Sequence, residues 1–126
     1  MGKRKVATKK NDLFQGDLSE LIVQALLEKK GEDVTLIDLK SIQHVYFDKF
    51  IVCTGTSRTH VETLCDYVQE VLKREAGVKP DAVEGLANGE WVLLDFFDIV
   101  VHVFQPDARQ YYKLEDLWSD ADVKHF

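Results

Sequence analysis

Residues Trp91 to Trp118 read WVLLDFFDIVVHVFQPDARQYYKLEDLW, and this stretch decides the fold. It opens with two short runs, WVLLD and DIVVHVF, joined at Phe96 and Phe97. Both are rich in Val, Ile and Phe, too short for independent helices and bounded by aspartates, so they predict a pair of antiparallel strands. Pro106 stops the second strand because proline cannot donate to a ladder. One helical turn is expected around residues 108–112 and another around 114–118. Alternation puts Trp91, Leu93 and Asp95 on one face of the first strand and Val92 and Leu94 on the other. Val100, His102 and Phe104 share one face of the second.

Upstream, Leu18, Leu21, Ile22, Ala25 and Leu26 fall at helical spacing and predict an amphipathic helix from Asp17 to Lys30. Asp17 is its expected N-cap, with Glu20 completing a capping-box-like pair, and Gly31 is expected at C′. VTLIDL, from Val34 to Leu39, reads as a strand, residues 40–49 as a loop, and FIVCT, from Phe50 to Thr54, as a central strand covered on both faces. A second helix runs from about Ser57, its N-cap, to Ala76, where Gly77 ends it and Pro80 prevents its resumption. A short strand is expected over residues 81–84 and turns over 85–89. Two helices and about five strands make an α+β fold, a mixed sheet with helices packed on it.

The chain has 126 residues, 45% hydrophobic and 30% charged, enough for one domain with one core. No apolar run approaches the roughly 20 residues that span a bilayer, and residues 1–20 lack an apolar signal core. A cytoplasmic location is the expectation. Net charge is −6, but MGKRKVATKK holds Lys3, Arg4, Lys5, Lys9 and Lys10 and no acid. Without those five, 11 basic residues face 22 acidic ones, a charge of −11 on the remainder. Such a body repels nucleic acid and attracts basic proteins. Residues 1–16 read as a basic flexible tail and 17–126 as the domain. The tail is more simply a solvated terminus than an RNA contact.

TGTSRTH, residues 54–60, places a glycine and a helix start after a buried strand, as an anion cradle would. It lacks the spacing of a phosphate-binding loop, and a tight turn with a cap explains it. Cys53 and Cys65 show no CxxC spacing and are expected to be buried thiols. The four histidines form no metal-ligand pattern, so no metal, cofactor or catalytic residue is expected. Asp95 and Asp98 flank a turn and suit local hydrogen bonds there. His102, alone on an apolar strand face, suits a core or a docking surface equally. Trp91 is an interface candidate, being of the type that dominates hot spots. Phe96 and Phe97 are both expected at an exposed turn. RQYYKLEDLW, residues 109–118, is expected to cap a sheet edge.

The motifs CTGTS, HV, EG, WVLLD, DIVVHVF, YY and LEDLW, in that order across residues 17 to about 122, resemble the ribosomal silencing factor, or Iojap, family. The resemblance implies an α+β fold related to the nucleotidyltransferase folds. It also implies a translation repressor that binds the large ribosomal subunit through a basic protein, the one numbered fourteen, and blocks subunit joining when nutrients are scarce. Self-association is a further property of such proteins. The residues of the hairpin expected to make the contact are Trp91, Asp95, Phe96, Asp98 and His102. The commonest family pattern has glycine at position 97, and its loss here disfavours a turn with positive φ. The competing reading is a nucleotide-binding or nucleotidyltransferase-like enzyme. It is opposed by the absence of a D-x-D carboxylate pair after Ser57.

Overall fold

A computed structural model of the chain describes residues 16–42 and 45–126. The expected basic tail therefore lies, but for Gly16, outside the described residues. The element order is α1 (Leu18–Glu28), β1 (Glu32–Asp38), β2 (Lys49–Thr54), α2 (Arg58–Ala76), β3 (Ala82–Glu84), β4 (Trp91–Asp95), β5 (Ile99–Phe104), α3 (Pro106–Tyr112), a 3-10 turn (Leu114–Trp118) and β6 (Asp122–His125). The strands form one mixed sheet in the order β3-β4-β5-β2-β1-β6, in which only β2 and β5 run parallel. The α+β class is as expected; the described residues hold six strands rather than five and a short third helix.

Both long helices begin on side-chain caps. Asp17 takes the Ser19 N–H at 2.9 Å, and Ser57 Oγ takes the His60 N–H at 3.1 Å. The ends differ. Helix α2 stops at Gly77 in the left-handed region (φ 69), where a missing Cβ costs nothing. Helix α1 closes with paired bonds, Gly31 N–H to the Leu26 carbonyl and Lys30 N–H to that of Leu27. In that motif Lys30, at φ 63, holds the left-handed position expected of Gly31. Gly31 is instead required by crowding, since a Cβ there would lie 2.5 Å from Cys53 Sγ and 3.0 Å from the Leu26 carbonyl oxygen.

The two helices lie on one face of the sheet. Ile22 and Leu26 of α1 and Val61, Leu64, Val68 and Leu72 of α2 are buried against Ile51, Cys53, Val92, Leu94, Val101 and Val103. Cys53 and Cys65 are free and buried here. Desolvation pushes both thiols up to about 12, so neither is a thiolate at neutral pH. The opposite face carries a second core of Ile37, Phe50, Val52, Val100 and Phe104. Its cover is thinner: Ala108 of α3, Leu114 and Trp118 of the 3-10 turn, and Leu39, Ile42, Val45 and Phe47 of the loop after β1.

The C-terminal segment thus covers a face, where an edge cap was expected. The edge belongs to β6, which pairs antiparallel with β1 from Thr35↔His125 to Asp38↔Asp122. Arg109 pins the segment down. It donates to the Asp33 carbonyl at 2.8 Å, to Thr54 Oγ1 at 2.9 Å and to Thr35 Oγ1 at 3.3 Å, and pairs with Glu115. Among the described residues, no helix is long and apolar enough to cross a membrane.

Candidate docking face

The thinly covered face carries the candidate residues on β4 and β5, whose register sets Trp91 opposite Phe104, Leu93 opposite His102 and Asp95 opposite Val100. All six side chains therefore share one face. The indole N–H of Trp91 donates to His102 Nδ1 at 3.1 Å. That bond assigns the imidazole tautomer, because Nδ1 must be bare and Nε2 must hold the proton. His102 is 3% exposed, and burial alone pushes its pKa down to about 4. It is neutral at physiological pH. Among the described residues, its Nε2 and the Trp118 Nε1 are buried without an acceptor. Both rings stand edge-to-face with Phe50, at centroid distances of 4.7 and 5.8 Å.

His102 is thus a core histidine whose one satisfied nitrogen is spent on positioning Trp91. Trp91 is half-buried. It stacks on Phe104 at 4.9 Å and meets Tyr112 of α3 at 4.7 Å, and Tyr112 touches Tyr111 edge-on at 5.0 Å. This aromatic row runs outward from the core, since Tyr112 is 49% and Tyr111 79% exposed. Leu117 also faces solvent. Tyr111, Tyr112 and Leu117 were not among the expected site residues. The YY doublet was the available signal: residues about 100° apart on a short helix point in different directions, and one turn of helix over a sheet readily leaves such a pair at the surface.

The two phenylalanines of the hairpin tip separate, where both were expected at the surface. Phe96 is buried at 3% in the core beneath the helices, because strand alternation continues through Asp95 and sends it to the Leu94 side. Phe97 is exposed at 62%. It adopts φ 83, so the positive φ persists without glycine. Asp95 Oδ1 takes the Phe97 N–H at 2.8 Å, the local turn bond expected of this aspartate. The Asp98 carbonyl, rather than its side chain, ties the tip to the sheet by accepting from the N–H groups of Asp48 and Lys49. Both aspartates are half-buried.

Three backbone N–H groups of the turn from Thr54 to His60 are already bonded within the fold. The Gly55 N–H is bonded to the Phe104 carbonyl, that of Thr56 to His60 Nδ1 at 2.9 Å, and that of His60 to Ser57 Oγ. His60 Nε2 reaches the Lys29 carbonyl at 2.8 Å, which ties α2 to the end of α1. The motif joins elements of the fold.

Residues 14–125 match the family model described as ribosomal silencing factor during starvation. The ribosomal silencing factor RsfS of Chromobacterium violaceum is 43% identical over 82% of this chain and 83% of its own length. A crystal structure of a protein from the same organism aligns with a TM-score of 0.76 at 42% identity, covering 81% of this chain and 83% of that one. A mouse relative named mitochondrial assembly of ribosomal large subunit protein 1 is 28% identical over 79% of this chain and 44% of its own length.

Proposed function

The chain belongs to the ribosomal silencing factor family, and from that premise we propose that it represses translation by occupying the large ribosomal subunit and blocking subunit joining. The match of residues 14–125 to the family model carries this reading. The large subunit is favoured as target because the mouse relative's name refers to that subunit. The docking partner is a basic ribosomal protein, the one numbered fourteen in the large subunit, and nutrient limitation is the condition in which the block operates. Residues 17–126 form the ribosome-binding unit. Self-association through the same sheet face would compete with docking.

Physical chemistry supports a binding role on three counts. The body is acidic, which speeds encounter with a basic protein and disfavours bare RNA. The face around Trp91 offers partly exposed aromatics held by a rigid sheet, the kind of anchor that dominates interface energies. Repression by obstruction calls for area and affinity and no chemical step. Trp91, Asp95 and Asp98 make the contact, while His102 and Phe96 act from beneath by fixing the indole and the hairpin tip. The test is sedimentation of the purified protein with isolated subunits. Co-migration with large subunits alone is expected, and equal binding to both subunits or to neither would sink the proposal.

A further inference from the structure

We infer that strand β6 is a pairing edge for a second copy of this chain, the two β6 strands running antiparallel about a two-fold axis at Val123. The contact goes beyond the proposed repression and uses a different surface from the face around Trp91. β6 is an outer strand of the sheet, and among the described residues no strand pairs with its free side. Asp122, Val123, Lys124 and His125 are all exposed, and Val123 and the following Phe126 put apolar surface into solvent. An open strand edge is a template for another strand. The backbone sets which groups are on offer. The Phe126 N–H donates to the Val34 carbonyl at 2.9 Å, and the register matches Leu36 with Lys124 and Asp38 with Asp122. Residues 122, 124 and 126 therefore bond to β1, and alternation turns the N–H and C=O groups of Val123 and His125 to the free side.

The side chains select the occupant. Asp122 and Lys124 share the sheet face of Leu36, while Val123 and His125 share the other, where His125 Nδ1 lies 3.3 Å from Thr35 Oγ1. Directly opposite residues of an antiparallel pair lie on one face, so a two-fold centred in β6 passes at Val123 or at Lys124. An axis at Lys124 sets two ammonium groups against each other. An axis at Val123 lets the two valines exchange backbone hydrogen bonds with their outward groups. It also sets Asp122 of each copy opposite Lys124 of the other, at the non-hydrogen-bonded positions where side chains come closest. Neither Asp122 nor Lys124 has an ion pair among the described residues, and the Lys124 ammonium lies 5.1 Å from the centre of the Phe126 ring. Exposure, the free backbone groups and charge thus agree on one register, and the contact is self-complementary. Three strands separate β6 from β4. The face around Trp91 stays open in this dimer, whereas association through that face would compete with docking.

The test is sedimentation equilibrium of the full-length protein up to millimolar concentration, with thermal melting of each variant. A monomer–dimer equilibrium is expected for wild type. Val123→Pro removes the outward N–H and no bond to β1, so it should melt close to wild type and weaken the dimer about tenfold or more. Asp122→Lys and Lys124→Asp each place like charges at both cross-strand pairs, and each should weaken the dimer about tenfold. An equimolar mixture of those two variants restores opposite charges at both pairs and should dimerise as wild type does. A wild type that stays monomeric overturns the proposal. A dimer that survives Val123→Pro with unchanged affinity overturns it too, since association then runs through another surface. A mixture that dimerises no better than its components does the same. If Val123→Pro fails to fold, the two charge reversals and their mixture decide.

Discussion

At the residue scale, the Trp91–His102 pair makes stability depend on pH in a stated direction. Burial holds the folded-state pKa of His102 near 4, below the ordinary 6.5. Below pH 6.5 the unfolded chain takes up a proton that the folded chain refuses. The contribution is therefore intact above 6.5, declines as pH falls, and levels off below about 4. Two and a half pKa units correspond to roughly 3 kcal/mol. Urea unfolding of wild type and His102→Gln between pH 7 and 4 should give curves whose difference narrows by an amount of that order. Parallel curves would show that His102 is not buried neutral. Trp91→Phe keeps the ring on Phe104 and removes the bond to Nδ1, leaving a buried acceptor unpaired. A loss of about 1–3 kcal/mol is expected, read by the same unfolding measurement.

At the element scale, the join between α1 and β1 offers a pair of substitutions with opposite signs. Lys30→Gly relieves a left-handed lysine and should be neutral or stabilising by up to about 1 kcal/mol. Gly31→Ala drives a methyl against Cys53 Sγ and the Leu26 carbonyl and should destabilise by about 1–3 kcal/mol. Melting temperatures that moved in the reverse order would overturn the assignment of left-handed geometry to one residue and crowding to the next. The C-terminal segment is a second case. Arg109, its side chain only 13% exposed, bonds to β1, to β2 and to Glu115. Arg109→Met strands those acceptors and should cost about 2–4 kcal/mol. Limited proteolysis should then cut after residue 105 faster than in wild type, whereas an unchanged cleavage rate would mean that Ala108 and Leu114 suffice to hold the segment.

At the scale of the whole molecule, the question is which charges meet the ribosome. If Lys3, Arg4, Lys5, Lys9 and Lys10 neutralised five phosphates, binding would fall with salt at a log–log slope of roughly −3.5 to −4.5. The expectation is that the acidic body and its aromatic face carry the contact, so deleting residues 1–12 should change affinity by less than about threefold. A large loss of affinity, with a flattened salt dependence, would transfer the contact to the tail.

What the sequence determined by itself was local. The caps at Asp17 and Ser57, the stop at Gly77 and the period-two runs of β4 and β5 each depend on a few neighbours, and each was legible. The faces of Trp91 and His102 followed from the same alternation. Strand β6 was not legible because all four residues of DVKH are exposed and carry no hydrophobic period; it exists because β1 has an edge to pair with. The opposite fates of Phe96 and Phe97, the resting of the C-terminal segment on a face instead of an edge, and the bonding of the Thr56 N–H by His60 were likewise decided in three dimensions. Each depends on which groups from distant parts of the chain arrive at one place. Burial and hydrogen-bond satisfaction belong to that assembled environment, and no window of neighbouring residues contains it.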